Sequence, residues 1–462
     1  MENSYNYRAE VSRQCEWILY ALVVTLVLEG VVRKLLPVFS LPIFFFKDAL
    51  CLLGSLIILK LKLFGITKRL IDAWWSLFLL FIPLLYFTGF KDPILSVFAA
   101  KQYLLYVSVG IIMLIAFSGN KDVKFRKFLF FNSLLLIPTT LIAIMQLSLP
   151  PTHWLNASVG GESMEAFSAA GYLRVGSTFS FTAQYSWYLN VESCFLLASI
   201  FIPPNFSLKY EKFIKWVVYP FLVLMLVIGA FITGGRTAVF GCGSTLVLGF
   251  FFIGYKNPKW MFSKGLLILF LSAGSLVGLR LLKPEFFQAY DARASGNEKI
   301  THSEEMADRI FGGFTDWTSW FWEQDLASVV AGNGLGIMSN GSSQISSYAS
   351  TVRADGFWTE GDVPTTFWEG GLYLAMIWYG FRLSMIIFCL RQWYSITDKT
   401  MGAAASVPLA YVIIHGTIAQ LGMQPPLFIW WWFAIGIIIF LRRFDKFRIV
   451  NSHTHQIFSS KK

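Results

Sequence analysis

Apolar runs of roughly 18–22 residues recur along nearly the whole chain, and each can cross a bilayer hydrocarbon core of about 30 Å. No other feature limits the fold so strongly. A membrane β-barrel would instead show alternating segments of about ten residues. The expected fold class is therefore an all-α polytopic membrane protein. Composition agrees: only 14% of the residues are charged, against about 25% in soluble domains.

The runs predict twelve spans, at about 16–34, 42–60, 70–89, 96–118, 126–147, 183–203, 214–234, 236–255, 262–282, 367–390, 403–421 and 426–442. The first follows a polar stretch and has the length of a full span, so it is read as an uncleaved helix. The division is then spans one to nine over residues 1–282, a large outer loop over 283–366, spans ten to twelve over 367–442, and an inner tail over 443–462.

Charge orients this arrangement. With the N-terminus inside, the inner segments hold 24 of the 38 basic residues, and the short outer loops hold five: Arg33, Lys34, Lys91, Arg174 and Arg236. The positive-inside rule places both termini in the cytoplasm. The net charge of +11 is then an orientation signal facing anionic lipid, with no nucleic-acid surface implied.

The outer loop 283–366 is about 84 residues long and reverses this sign, with five basic and twelve acidic residues. A connection so long is usually functional or disordered, and Trp317, Trp320, Phe321, Trp322 and Trp358 argue for order. The five cysteines all fall in spans or on the inner side, so no disulfide staples the outer loops. No cluster has metal-ligand spacing, and no Walker loop is present. "GNGLG" at Gly332–Gly336 lacks a βαβ context and reads as a flexible turn.

Several charges lie where hydrocarbon is expected: Glu29, Lys47, Asp48, Lys101, Glu192 and Arg382. Such residues usually face a bundle interior or an aqueous cavity. Glu29 and Arg33 are four apart, share a helix face and predict a structural ion pair; Lys101 has no evident local partner. On the outer side, Arg174, Arg236, Arg309 and Arg353 stand against the charge gradient. Arginine presents a fixed, forked charge suited to phosphate. Arg236 also follows Gly234–Gly235 at an expected helix N-terminus, where free N–H groups favour an anion. Arg309 and Arg353 have Asp308 and Asp355 nearby and read as loop salt bridges.

The ordered set "LEGVVRK", "FFKDAL", "RVGSTFSF", "TGGRTAVFG", "DRIFGGF", "GNGLGIMSNG" and "TEGDVPTTFWEGGLYL" resembles the O-antigen ligase/polymerase family over nearly the whole chain. The resemblance implies a GT-C-type membrane glycosyltransferase, metal-independent and without cofactor, acting on undecaprenyl-diphosphate-linked glycans in a bacterial cytoplasmic membrane. It implies that Arg236 grips the diphosphate, and that Glu369 with Gly370 forms the family's Glu-x-Gly helix start. Many ligase members carry His-Asn nine residues before that glutamate. Here Glu360 stands there, and Thr365 stands near the place of an arginine in another branch. This departure favours polymerase over ligase.

An outward-facing enzyme has no nucleotide sugar at hand, so its donor arrives activated on a polyprenyl diphosphate. Positive groups must meet charge building on the leaving diphosphate, and a base must take the acceptor hydroxyl's proton. Arg236, Arg174, Arg309 and Lys101 are the candidates for the first role and Glu360 or Asp362 for the second; Glu369, at the helix start, is a further catalytic candidate. The expected activity is inverting joining of lipid-linked repeat units, with membrane lipid and a chain-length regulator protein as partners. Ligase-type transfer of a finished glycan is the close alternative. A lipid-linked glycan flippase is the alternative of another class, although transporters usually show internal repeats and none is visible here.

Overall fold

The computed structural model describes residues 2–62, 68–118, 122–159, 168, 171–205, 208–294, 311–315, 317–339, 341–354 and 361–459. The helices are α1 (Glu2–Leu35), α2 (Ser40–Lys62), α3 (Lys68–Lys91), α4 (Pro93–Ala100), α5 (Val107–Ala116), α6 (Asp122–Leu134), α7 (Leu136–Ser148), α8 (Thr182–Phe201), α9 (Leu208–Phe213), α10 (Tyr219–Ile232), α11 (Arg236–Lys256), α12 (Pro258–Trp260) and α13 (Leu266–Leu282). The long connection after α13 adds α14 (Gln288–Ala294), α15 (Thr318–Phe321), α16 (Leu326–Ala331), α17 (Ser342–Ile345) and α18 (Ser347–Ala354). Then come α19 (Asp362–Tyr394), α20 (Lys399–Ala404), α21 (Ser406–Ile418) and α22 (Pro425–Ser459). No strand occurs among the described residues.

Ten helical stretches are long and apolar enough to cross a membrane, or eleven if the bent pair of α4 with α5 counts as one span. The chain is thus an all-α, multi-pass membrane protein. The expected count of twelve includes α8, whose Thr182, Gln184, Asn190, Glu192 and serines leave it outside those ten or eleven. Polarity does not keep it at the surface. It runs through the middle of the bundle, packed against α6, α10, α11, α20, α21 and α22, with nearly every side chain buried. Its polar residues are tolerated because protein, not lipid, surrounds them.

Burial sorts the other spans. The windows of the spans Lys399–Ile418 and Pro425–Arg448 are 78% and 83% buried, while that of Pro258–Leu282 is 6% buried. The last two spans form the inner wall, and α13 lies at the periphery. The last span's helix runs on into the expected tail, α22 continuing to Ser459. Asp445 on it fixes the α19–α20 turn by accepting from the Thr397 amide (2.9 Å) and the Asp398 amide (3.1 Å).

Two expected spans are broken. The fourth, expected unbroken over 96–118, bends by 41° between α4 and α5, where Lys101–Leu105 form a widened π-helical turn. Such turns are frequent at functional sites. The tenth begins with a fold-back. Within α19, Gly371 has φ 60° and ψ −157°, outside the helical region, and the nine residues before it turn back along the helix that follows, bringing Asp362 to Tyr379 and Arg382. This break leads to the site.

Candidate functional site at one end of the bundle

The first group of charges lies between α1 and α2. Glu29 takes Arg33 on one oxygen (3.1 Å) and Lys47 on the other (2.9 Å). Arg33 also donates from Nε to Ser40 Oγ (3.0 Å). Lys47 and Asp48 are adjacent on α2, so successive side chains diverge and face different partners. Asp48 accepts from Lys101 (3.0 Å) and from the Tyr106 hydroxyl (2.5 Å). The ring of Phe44 lies 3.8 Å from Lys47 Nζ, 5.0 Å from Arg33 Cζ and 5.5 Å from Lys101 Nζ. Pairing is what makes such burial tolerable. The Glu29–Arg33 pair was expected; that Lys101 is held by Asp48 was not. Three cations on two carboxylates leave the group one positive charge.

The widened turn ties this group to Glu369. Its successive side chains diverge: Lys101 meets Asp48, Gln102 meets the Ser339 hydroxyl, and the Tyr103 hydroxyl donates to Glu369 Oε2 (2.7 Å).

Glu369 ends the short helical arm before the break at Gly371. At the start of that arm, Asp362 forms a buried ion pair with Arg382. Tyr379 also donates to Asp362 Oδ2 (3.0 Å), and Arg382 donates to the carbonyls of Gly416 (2.7 Å) and Ala419 (3.0 Å). Pro364 falls in the arm's first turn, where a missing N–H costs nothing. The arm's last carbonyls are capped by the outer loop: the Asn333 amide donates to Trp368 O (2.8 Å) and the Gly334 amide to Glu369 O (3.0 Å). A Cβ at Gly332 would stand 2.4 Å from Glu369 C, so only glycine fits. The stretch expected as a flexible turn is instead a buried cap. Its Met338 amide donates to Glu369 Oε1 (2.8 Å). Two aromatic contacts brace the arm, Trp317 stacked on Phe367 at 4.0 Å and Trp320 edge-on to Trp368 at 5.3 Å.

The third group surrounds the glycine turn before α11. Gly235 caps α11, its amide held by Thr233 Oγ1 (2.9 Å), and Arg236 is the first helical residue. Gly234 has φ 58°, and a Cβ there would lie 2.7 Å from Ala289 Cβ and 3.2 Å from Arg174 Cγ. Arg174 therefore lies across the turn that presents Arg236, with α14 over it. Burial raises the Tyr290 hydroxyl on α14 above its ordinary range, Asp291 adds to this, and the charges of Arg236 and Arg280 oppose it. The segment from Arg174 to Phe181 also reaches α1: Thr178 O accepts from the Val31 amide (2.7 Å), and Arg33 contacts Ser180 Oγ at 3.5 Å. Ser177 is held at φ 54° by two bonds, its amide to Gln146 Oε1 (2.7 Å) and its hydroxyl to Thr139 O (2.6 Å). A non-glycine residue stays there only when its surroundings fix it.

Six sequence segments thus meet at one end of the bundle in an unbroken run of contacts. It passes from Asp362 and Glu369, through Lys101 and Asp48, to Glu29 and Arg33, then along 174–181 to the Arg236 turn. Arg309, Glu360, Asp355, Asp308 and Trp358 lie outside the described residues. Glu192 lies in α8 one turn from Tyr188, apart from this run. The roles of Tyr103, Gln102, Tyr106 and the Met338 amide were not foreseen. Their signal was present as "KQY" interrupting an apolar run.

Comparison with protein-family models, with curated proteins and with solved structures finds no match.

Proposed function

We propose that this chain is a membrane glycosyltransferase that joins polyprenyl-diphosphate-linked glycan units on the outer face of a bacterial cytoplasmic membrane, with both termini in the cytoplasm. One observation carries the reading. Six of the seven segments that resemble the O-antigen ligase/polymerase family, scattered over the sequence, lie along one run of contacts that holds fixed cations and a buried carboxylate.

In this reading the acceptor sugar's hydroxyl attacks the anomeric carbon of the donor. The bond from that carbon to the diphosphate oxygen breaks, and configuration inverts. Glu369 takes the hydroxyl proton, while Tyr103 holds its other oxygen. Arg236, with Arg174 beside it, meets the charge left on the diphosphate. The helix N-terminus at Arg236 adds to this field. Asp362 is engaged by Arg382 and Tyr379, so it serves as the brace of the arm, and Glu369 is the better base.

Purified protein in liposomes with lipid-linked oligosaccharide tests the proposal. Longer lipid-linked chains support it. Transfer of whole chains to a second acceptor would make the protein a ligase, and movement of the unchanged lipid across the bilayer would make it a flippase.

A further inference from the structure

The Glu369 carboxylate is held by the Tyr103 hydroxyl from the bundle side and by the Met338 and Gly336 amides from the loop side. A carboxylate can draw a proton only from a hydroxyl that donates to it. A carboxylate can accept more than two hydrogen bonds, but Glu369 is only 1% exposed, so an incoming hydroxyl reaches it only where one of these flanks gives way. Tyr103 sits on a bundle helix and is 2% exposed. The Met338 amide belongs to a loop bracketed by glycines with positive φ, Gly332 at 73° and Gly341 at 92°.

That loop is tethered by polar contacts that water or a sugar can replace. Lys91 Nζ donates to Asn333 O (2.9 Å), the Leu335 amide to Thr88 Oγ1 (2.9 Å), and Arg353 Nη1 to Ser339 O (3.3 Å). Ile337 and Met338 pack on a small apolar cluster with Leu95, Phe98, Ala349 and Met423, separate from the main core, and Leu335 alone of the loop's apolar side chains reaches that core. We propose that Gly332–Ser339 is a displaceable cover, and that the Met338 N–H holds the place taken by the acceptor glycan's hydroxyl. The chemistry of the vacated position selects the ligand. A group that replaces an N–H on a carboxylate must itself be a donor. A sugar hydroxyl qualifies; a diphosphate, which offers only acceptor oxygens, does not. The acceptor side of the site is thereby Glu369, and the diphosphate belongs elsewhere, at the Arg236 turn. The choice of a glycan hydroxyl rests on the glycosyltransferase reading, whereas the movement of the cover does not.

Hydrogen exchange on the full-length protein in lipid nanodiscs tests the cover, with and without lipid-linked oligosaccharide. The amides of Leu335 and Met338 should exchange slowly alone and faster when the glycan is added. A disulfide lock gives the second test. A Cβ at Gly336 would lie 3.3 Å from Ala99 Cβ, close to the separation of about 3.5–4.5 Å in disulfides, and the five native cysteines are buried. In the Ala99→Cys/Gly336→Cys variant, oxidation should cancel the glycan-dependent exchange and abolish chain extension, and reduction should restore both. The reduced form of the same variant is the reference, because a side chain at the Gly336 φ of 79° is strained; where that variant fails to fold, exchange in the unmodified protein decides. Unchanged or slower exchange with glycan, or full extension by the oxidised form, overturns the cover. Glycan-dependent exchange that the lock cancels, with no extension in any state, keeps the cover and removes the glycosyltransferase reading.

Discussion

Asp362 and Arg382 lie twenty positions apart, on either side of the break at Gly371, and form a buried ion pair. A straight helix would separate them by about 30 Å, at 1.5 Å per residue. The pair exists only because the chain reverses at Gly371, and it holds the arm that carries Glu369. Asp362→Asn should therefore lower thermal stability, because it leaves the Arg382 charge buried without its partner, typically a loss of about 3–5 kcal/mol. An Asp362→Asn/Arg382→Met double variant should regain part of the loss. A stable but inactive Asp362→Asn protein would instead place Asp362 in the chemistry.

Glu29 serves two cations, so Glu29→Gln should be worse than loss of either one. Arg33 and Lys47 would be left facing each other across Phe44, and the expected loss is again about 3–5 kcal/mol for a buried pair broken on one side. Thermal unfolding in detergent measures it. Lys47→Met, which leaves Glu29 paired with Arg33, should cost less.

Asp92 gives a pH dependence outside the spans. Burial raises its carboxyl, but the Ser346 hydroxyl and the amides of Leu95 and Ile94 outweigh this and bring it below the ordinary value of 3.8. A depressed carboxylate stabilises the fold above its ordinary value, and that contribution fades as pH falls through the folded one. Asp92 also caps α4, and losing such a cap costs about 0.5–2 kcal/mol. The stability gap between the native protein and Asp92→Ala should be full at neutral pH and shrink only below the ordinary carboxylate range.

Arg236→Lys keeps the charge but loses the planar fork, so chain extension should be impaired. Arg236→Ala should lose about 10²–10³-fold in rate while inserting and folding normally. Donor binding measured at matched protein levels separates these outcomes. Normal binding and full-length product from Arg236→Ala would make Arg236 an interfacial anchor.

Orientation is testable at exposed positions on opposite ends. Trp154 is 45% exposed and the Lys124 side chain 46% exposed. A cysteine at 154 should react with an impermeant thiol reagent in intact cells, and a cysteine at 124 should not. The reverse pattern would invert the topology.

The apolar runs made the spans legible because lipid imposes length and composition on each helix separately. The i,i+4 spacing likewise exposed the pairing of Glu29 with Arg33. Contacts between distant segments were not legible. Lys101 meets Asp48 because two segments 53 positions apart pack together, and Asp362 leaves the loop expected for it because Gly371 reverses the chain. The glycines at 332–336 signalled backbone freedom, but not that the freedom is used to pack against Glu369. Polar α8 failed as an apolar span because its neighbours, not its sequence, keep it from lipid.

The most direct test compares the native protein with Glu369→Gln in liposomes supplied with lipid-linked oligosaccharide. The amide keeps the shape and can still accept from Tyr103 or Met338, but it cannot take the acceptor's proton. The account predicts that the native protein lengthens lipid-linked chains, and that Glu369→Gln binds the donor yet extends chains about 10²–10⁴-fold more slowly, the range for losing a general base. Chain growth by Glu369→Gln at the native rate, or no growth by the native protein, would contradict it.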